Sequence, residues 1–489
     1  MLDARGGASR RRDALALFAL FVAALALRIA LRIDHDEDID ALRFRLGVER
    51  FSVVELRPHA PFYPVYVAAA KVVVALGAAP RTALAIVGAV AGAAVVAITA
   101  LTAREILGRR AAFVAGALAL VSPFLWLSSE KLLSDMAGVA VFGTALWLCA
   151  RARRLPARAP ALRTAALLIL GVGLGVRLSY FPIAIACFVV IARVEGGGRA
   201  WAARARDLLS GVVPWLVPLV FVGGARVLVA TTLVQGAGHF TRWGGSAITV
   251  SSPAARMYGV VWGLWANVLG GAWIDAPPAR WIAAPVLALL LALASTRVRG
   301  AIARQPEIAA AAAAYFVWAV LGQNIAYKPR HFLPLAPLAV VALAGGVDSL
   351  SRRSPRIALA ATAVLVVEWL TDGAALAAAH RRPSPAAAIV AELRARDDGR
   401  VVLTADLGRM IAEGAPGRAI VLVKSASALA EAAAREPRGA LITGEALSAD
   451  AARALADRGL ATRVIFARPR SRYVDSLWSD LALVAVEPR

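Results

Sequence analysis

Asp34-His35-Asp36-Glu37-Asp38-Ile39-Asp40-Ala41-Leu42-Arg43-Phe44 follows directly on the first long apolar segment of the chain, Asp13 to Ile33. Carboxylates are costly near hydrocarbon, so five of them at the mouth of such a segment demand a reason. One reading is a solvated loop that ends a helix. The other is a functional cluster: a general base, a metal site, or a site for a hydroxylated or cationic substrate. The stretch that follows, Pro58-His59-Ala60-Pro61-Phe62-Tyr63-Pro64, favours the second, because a mere connector has no need of a basic, aromatic and proline-rich composition.

The rest of the chain sets this cluster in a membrane. Of 489 residues 60% are hydrophobic, and the mean hydropathy is +0.67. Apolar segments recur from Leu15 to Leu376, separated by short arginine-rich loops, which is the pattern of an all-α polytopic membrane bundle. A net charge of +23 would suit a nucleic-acid partner if it were spread over one soluble face. Instead the arginines collect in alternate loops, which is the positive-inside signature, and no nucleic acid is expected. Cys149 and Cys187 lie in apolar stretches, so neither a disulfide framework nor a zinc site is indicated. Residues 13–33 have no small-residue cleavage site and read as a retained first helix.

Eleven spans are expected, over 13–33, 82–103, 111–127, 136–150, 164–176, 181–192, 208–230, 281–296, 308–326, 333–350 and 357–375. With Arg10-Arg11-Arg12 in the cytoplasm, the loops Arg104 to Arg110, Arg151 to Arg163, Arg193 to Arg206, Arg297 to Arg304 and Arg352 to Arg356 all fall inside. The N-terminus is then cytoplasmic and the C-terminal tail outside. Phe62 to Ala79 is expected to lie in the outer interface, as is Tyr258 to Trp273 with its three tryptophans; the tryptophans from Trp243 to Trp281 suit the same place. The pair 164–176 and 181–192 reads as two short helices meeting at Arg177-Leu178-Ser179-Tyr180, which would hold Arg177 in the outer half of the membrane. This gives a transmembrane domain over 1–378, with a first outer loop at 34–81, and a small soluble domain over 379–489. In the latter, strand-like runs at 400–403, 420–423 and 440–443 alternate with helical stretches, as in an α/β domain. No strand end carries a dinucleotide or phosphate-loop motif, and its role is either structural or substrate-recruiting.

Polar chemistry gathers on the predicted outer side. His35, His59, His239, His331 and His380 all fall there, with the acidic run and Tyr327-Lys328-Pro329-Arg330-His331. A lipid or polysaccharide transporter or flippase is the alternative function, and a non-catalytic receptor a third. Transporters place ionisable groups near the midplane of broken helices in repeated halves. Mid-span charges are few here, and no internal repeat is evident.

Four segments resemble the C-type integral-membrane glycosyltransferases (GT-C), the group containing protein O-mannosyltransferases and lipid A aminoarabinose transferases. Asp40-Ala41-Leu42-Arg43-Phe44 is similar to their first-loop motif, with Asp40 at the catalytic acid and Ala41 in place of the usual second acid. Pro58-His59-Ala60-Pro61-Phe62-Tyr63-Pro64 resembles the segment that precedes an interfacial helix, Ala60 replacing the commoner proline. Leu132-Leu133-Ser134-Asp135-Met136 resembles the second acidic motif, and Arg330-His331-Phe332-Leu333-Pro334-Leu335-Ala336-Pro337 the late arginine-proline element. The likeness covers about residues 10 to 350. It implies a cell-envelope transferase of the cytoplasmic membrane that takes its sugar from a polyprenyl-phosphate donor and passes it to a glycan, lipid or protein acceptor.

On that reading Asp40 is the base for inverting attack on the anomeric carbon, and the departing phosphate needs preorganised cations. Arg330, Lys328 and Arg177 are the candidates, with Tyr63, His59 and His331 beside them as substrate-binding residues. Asp135 either orients the acceptor or binds a divalent cation with Asp36 or Asp38; its plainer role is a cap for the helix that follows. No other cofactor is indicated.

Overall fold

The computed structural model describes residues 2–241, 252–273, 276–325, 328–396, 398–469 and 481–488. Trp243 and Tyr327 lie outside the described residues, as does the side chain of His239. The chain divides into two compact units. One comprises Met1–Arg32 and Phe44–Ala377, the other Ile33–Arg43 and Ala378–Arg489. Eleven residues that include all five carboxylates of the acidic run therefore group with the C-terminal part of the chain.

The described helices of the first unit are α1 (Leu2–Ala30), α2 (Ile39–Glu49, shared at its start with the second unit), α3 (Pro64–Ala75), α4 (Pro80–Ile106), α5 (Arg109–Val121), α6 (Pro123–Glu130), α7 (Asp135–Arg154), α8 (Ala159–Val176), α9 (Phe181–Glu195), α10 (Gly197–Gly223), α11 (Ala225–Thr241), α12 (Pro253–Val261), α13 (Pro278–Ala303), α14 (Pro306–Gly322), α15 (Ala336–Arg353) and α16 (Pro355–His380). Among the described residues, nine helices are long and apolar enough to cross a membrane, or ten if the bent pair α5 and α6 forms one span. Proline 123 makes that bend of 53°, since it has no N–H to continue α5 and its ring clashes with the preceding turn. The remaining expected span, 308–326, is α14, an apolar helix of 17 residues.

Two expected boundaries change. The short helices of 164–176 and 181–192 are the longer α8 and α9, and with their flanking turns they reach 21 and 18 residues. Charges taken as helix ends are absorbed by pairing instead: Arg163 meets Glu195 at 3.4 Å and Arg204 meets Glu195 at 2.7 Å. Arg177 is thus not forced deep by short neighbours. The expected span 208–230 stops at Gly223, because Gly224 turns the chain at φ +73°, where glycine alone is unstrained, and α11 begins anew. The Trp-rich stretch is α12 followed by a π turn, Trp262–Val268, too short to cross, and α3 has only 12 residues.

One end of the helical unit is a belt of ion pairs. Asp13 holds Arg109 and Arg104 at 2.7 and 3.2 Å, Glu105 holds Arg151 and Arg154 at 3.2 and 3.5 Å, Glu307 holds Arg153 at 2.8 Å, and Asp207 holds Arg204 and Arg206 at 2.7 and 3.0 Å. These come from the loops that the arginine pattern put on one side. Twenty residues of α7, about 30 Å at 1.5 Å per residue, separate this belt from Asp135 at the other end.

The second unit contains α17 (Pro385–Ala395), β1 (Val401–Thr404), α18 (Gly408–Gly414), β2 (Ile420–Leu422), α19 (Ala426–Ala434), β3 (Ala440–Thr443), α20 (Ala449–Ala456), β4 (Leu460–Arg468) and β5 (Leu481–Pro488). Its sheet has the order β2-β1-β3-β5-β4. The first three strands are parallel, with Val402 opposite Ile420 and Val401 opposite Ala440, and β5 runs antiparallel to both β3 and β4. Leu403, Ile442, Leu429, Leu455 and Val486 fill the core between sheet and helices.

Candidate active site

The site grows from three helix ends. After α6 the chain runs irregularly through Lys131 to Ser134 and re-enters a helix at Asp135, the first residue of α7. Ser134 does not cap that helix with its side chain, and Asp135 turns to Arg177. One turn on, a Cβ at Gly138 would stand 2.8 Å from the Tyr180 ring and 2.9 Å from Arg177 Cβ. The absence of a side chain there lets the segment after α8 lie directly on α7. Arg177 itself is extended, and the 3-10 turn Leu178–Tyr180 leads into α9, opened by Pro182.

Arg177 Nη2 pairs with Asp135 Oδ1 at 2.9 Å, and Nη1 donates to Ser134 Oγ at 3.2 Å. Its guanidinium lies 5.5 Å from the Tyr63 ring centroid, within cation–π range. Both ion-pair partners are buried, at 7 and 3% exposure. Such a pair stabilises only when its remaining lone pairs and protons are met, yet Asp135 Oδ2 and Arg177 Nε have no hydrogen-bond partner. Tyr180 donates its hydroxyl to the Asp135 carbonyl at 3.3 Å, and its ring meets Tyr315 edge-on at 5.3 Å. Tyr315 donates to the His331 carbonyl at 2.9 Å. This relay ties α7 to the 3-10 turn Pro329–Leu335, which carries the buried Arg330 and His331 and follows the half-buried Lys328.

The proline-rich segment supplies the third wall. Phe62 and Tyr63 hold φ of +70 and +47°, a left-handed conformation that costs bulky residues on the order of 1–3 kcal/mol each and persists only where the surroundings impose it. Tyr63 shares a hydrogen bond with His59 Nε2 at 3.2 Å. Phe44 packs edge-on against His59, Tyr63 and Tyr66 at 5.4, 4.9 and 5.1 Å, which fixes α2 and α3 together. The Tyr66 hydroxyl is buried without a partner. Burial and the Asp135 carboxylate push that phenol far above its ordinary range, so it stays a donor.

The acids of the first loop divide by duty within the second unit. Asp38 Oδ1 accepts from the Ala41 N–H at 2.9 Å and so caps α2. Glu37 is buried, 3.5 Å from His380, and its carbonyl accepts from Ser384 Oγ at 2.7 Å. Asp34 is exposed, Asp36 is partly so, and Asp40, in the first turn of α2, is partly exposed. Among the described residues, no three His, Cys, Asp or Glu side chains group as metal ligands.

No protein-family model matches this chain, and neither does any curated protein. Solved structures do. ArnT from Cupriavidus metallidurans in the apo state is similar over 96% of this chain and 98% of its own, with a TM-score of 0.58 at 16% identity. The chain has a GT-C fold. ArnT from the same organism bound to undecaprenyl phosphate gives 0.57 at 15% identity, covering 96 and 97%. An oligosaccharyltransferase from Archaeoglobus fulgidus gives 0.49 at 15%, covering 84 and 64%.

Within this GT-C fold the structure brings Asp135, Arg177 and Tyr63 into contact, links Tyr63 to His59, and joins the Arg330–His331 turn to them through two tyrosines. Tyr66, Tyr180, Tyr315 and Gly138 were not singled out by sequence, since a tyrosine in an apolar helix reads as core and only its hydroxyl partner reveals more. Arg28 was also missed. It is 1% exposed in α1, donates to Ser129 Oγ at 2.9 Å, and packs where Gly92 leaves room.

Proposed function

We propose that this protein is a glycosyltransferase of the cytoplasmic membrane that moves a sugar from a polyprenyl-phosphate donor to an acceptor hydroxyl on the outer face. The observation that carries this reading is the buried, half-satisfied Arg177–Asp135 pair beside the Arg330 turn, in a chain whose fold matches, over nearly its whole length, an ArnT structure bound to undecaprenyl phosphate. Arg177 and Arg330 hold the phosphate, with Lys328 at its edge. Asp135 orients Arg177 through the ion pair, and the Tyr63 ring covers the guanidinium face. Tyr66 donates a hydrogen bond to the substrate.

The acceptor oxygen attacks the anomeric carbon in line as the bond to the phosphate oxygen breaks, so configuration inverts. The acceptor proton passes to Asp40, and polyprenyl phosphate leaves with the electron pair, its added charge met by the arginines. Asp40, in the first turn of α2 and four residues before Phe44, stands where the resemblance puts the catalytic acid, which supports it as the base. The N-terminus lies in the cytoplasm and the domain 379–489 outside, as the arginine-rich loops require. Incubation of purified protein with radiolabelled polyprenyl-phosphate sugars tests the reading. Consumption of one of them is the expected result, and survival of every one in the presence of membrane-extract acceptors would refute it.

A further inference from the structure

The chain enters the soluble unit twice, over Ile33–Arg43 and again from Ala378, and the two passages are tied together. The Glu37 carbonyl accepts from Ser384 Oγ at 2.7 Å, and the Glu37 carboxylate faces His380 Nε2 at 3.5 Å. Glu37, Ser384 and His380 are all buried, at 3, 4 and 1% exposure. Ser384 has a second task, since its Oγ also accepts from the Ala387 N–H at 3.2 Å and so caps α17, the first helix wholly within the soluble unit. A hydroxyl can donate and accept together, so one side chain joins the acidic loop to the start of that helix.

Asp40 comes three residues beyond Glu37. Between them Asp38 caps α2, with the Ala41 N–H on its Oδ1 at 2.9 Å and the Leu42 N–H on its carbonyl at 3.1 Å. Ile33, Ala41 and Leu42 are each no more than 2% exposed. The first turn of α2 therefore has little freedom of its own, and where it stands follows from where Glu37 is held. A plain connector has no use for such a tie, because burying an ionisable pair costs the hydration of both partners.

We infer that the soluble unit is the anchor of the acidic loop: His380 and Ser384 hold Glu37, and through it they position Asp40 for proton transfer. Glu37, His380 and Ser384 are then positioning residues, not catalytic ones. The part concerning Asp40 rests on the transferase reading; the anchor does not. Misplacing a reacting group by about 1 Å costs on the order of 10²-fold in rate, which gives a transferase a use for a domain whose strand ends carry no phosphate loop.

Full-length protein in lipid nanodiscs would be compared by hydrogen exchange over residues 33–43, by affinity for undecaprenyl phosphate, and by turnover of the polyprenyl-phosphate sugar that wild type consumes. Glu37→Gln removes the charge facing His380, and Ser384→Asp keeps the cap of α17 while removing the donor to Glu37. Each should speed exchange at the Ala41 and Leu42 amides roughly tenfold, and lower kcat with affinity for undecaprenyl phosphate unchanged. Should Glu37→Gln fail to fold, Ser384→Asp carries the test. Ser384→Thr, with the same donor and acceptor, should exchange as slowly as wild type, and so should Glu431→Gln at an exposed ion pair of α19. In an Asp40→Asn background, Glu37→Gln should lower turnover no further, because it acts through Asp40. Unchanged exchange in both Glu37→Gln and Ser384→Asp would overturn the anchor. A further fall in the double variant, or a loss of undecaprenyl phosphate affinity as large as the loss in kcat, would overturn the positioning of Asp40. Asp40→Asn turning over at the wild-type rate would remove the base assignment, and the exchange result alone would then decide the anchor.

Discussion

The two ends of the helical unit both pair arginines with carboxylates, yet they do so in opposite ways. At the belt, Asp13, Glu105 and Asp207 each hold two arginines, and most of those arginines are well exposed. At the other end Arg177 faces Asp135, both are buried, and each keeps a polar atom unmet. The belt is what helix ends need in order to stop in water. The opposite arrangement is stable only if something else meets the remaining groups, which is the mark of a site and not of a clamp.

The acidic loop sharpens that contrast, since Asp38 caps a helix and Glu37 is buried against His380, whereas the proposed transfer uses Asp40 as its base. Asp40→Asn should lower turnover by roughly 10²–10⁴ with donor binding retained. Asp36→Asn should keep most activity. Steady-state rates with a labelled donor check this, and a dead Asp36→Asn beside a fully active Asp40→Asn would move the role to Asp36.

Gly138→Val comes next. Its first added carbon would stand 2.8 Å from the Tyr180 ring, so α7 and the Arg177 segment must separate. A stability loss of about 1–3 kcal/mol is expected, with a fall in donor affinity that the same overpacking at the belt would not produce. Thermal melts paired with donor titration separate the two. The smallest effect belongs to the belt: Glu105→Gln should cost about 0–1 kcal/mol and leave turnover unchanged, because its arginines are 40 and 49% exposed. A large loss of activity there would erase the difference between the ends.

Hydropathy and arginine placement were enough to read the bundle and to sort its loops by side, because burying apolar helices and pairing loop charges are local demands. The β1, β2 and β3 runs were legible for the same reason. The β4 and β5 hairpin was not, since β4 is mostly exposed and its alternation is weak. Helices α8 and α9 were drawn too short, because Arg163 and Arg193 read as helix ends, while in the fold Arg163 pairs with Glu195 at the end of α9. Arg177 was visible as an arginine between apolar runs. Its partner was not, because the contact joins residues 42 positions apart across two helices, and nothing in the sequence near Asp135 distinguishes an ion pair from a cap.

The claim that the Arg177 end binds the donor phosphate is tested most directly by the affinity of purified protein for undecaprenyl phosphate. Wild type, Arg177→Ala, Arg177→Lys and the belt variant Arg153→Ala would be compared. Loss of a buried charge-assisted contact should weaken binding roughly tenfold or more in Arg177→Ala. Lysine, which lacks the bidentate fork, should restore only part, and Arg153→Ala should bind as wild type. Equal affinity in wild type and Arg177→Ala, or an equal loss in Arg153→Ala, would contradict the account.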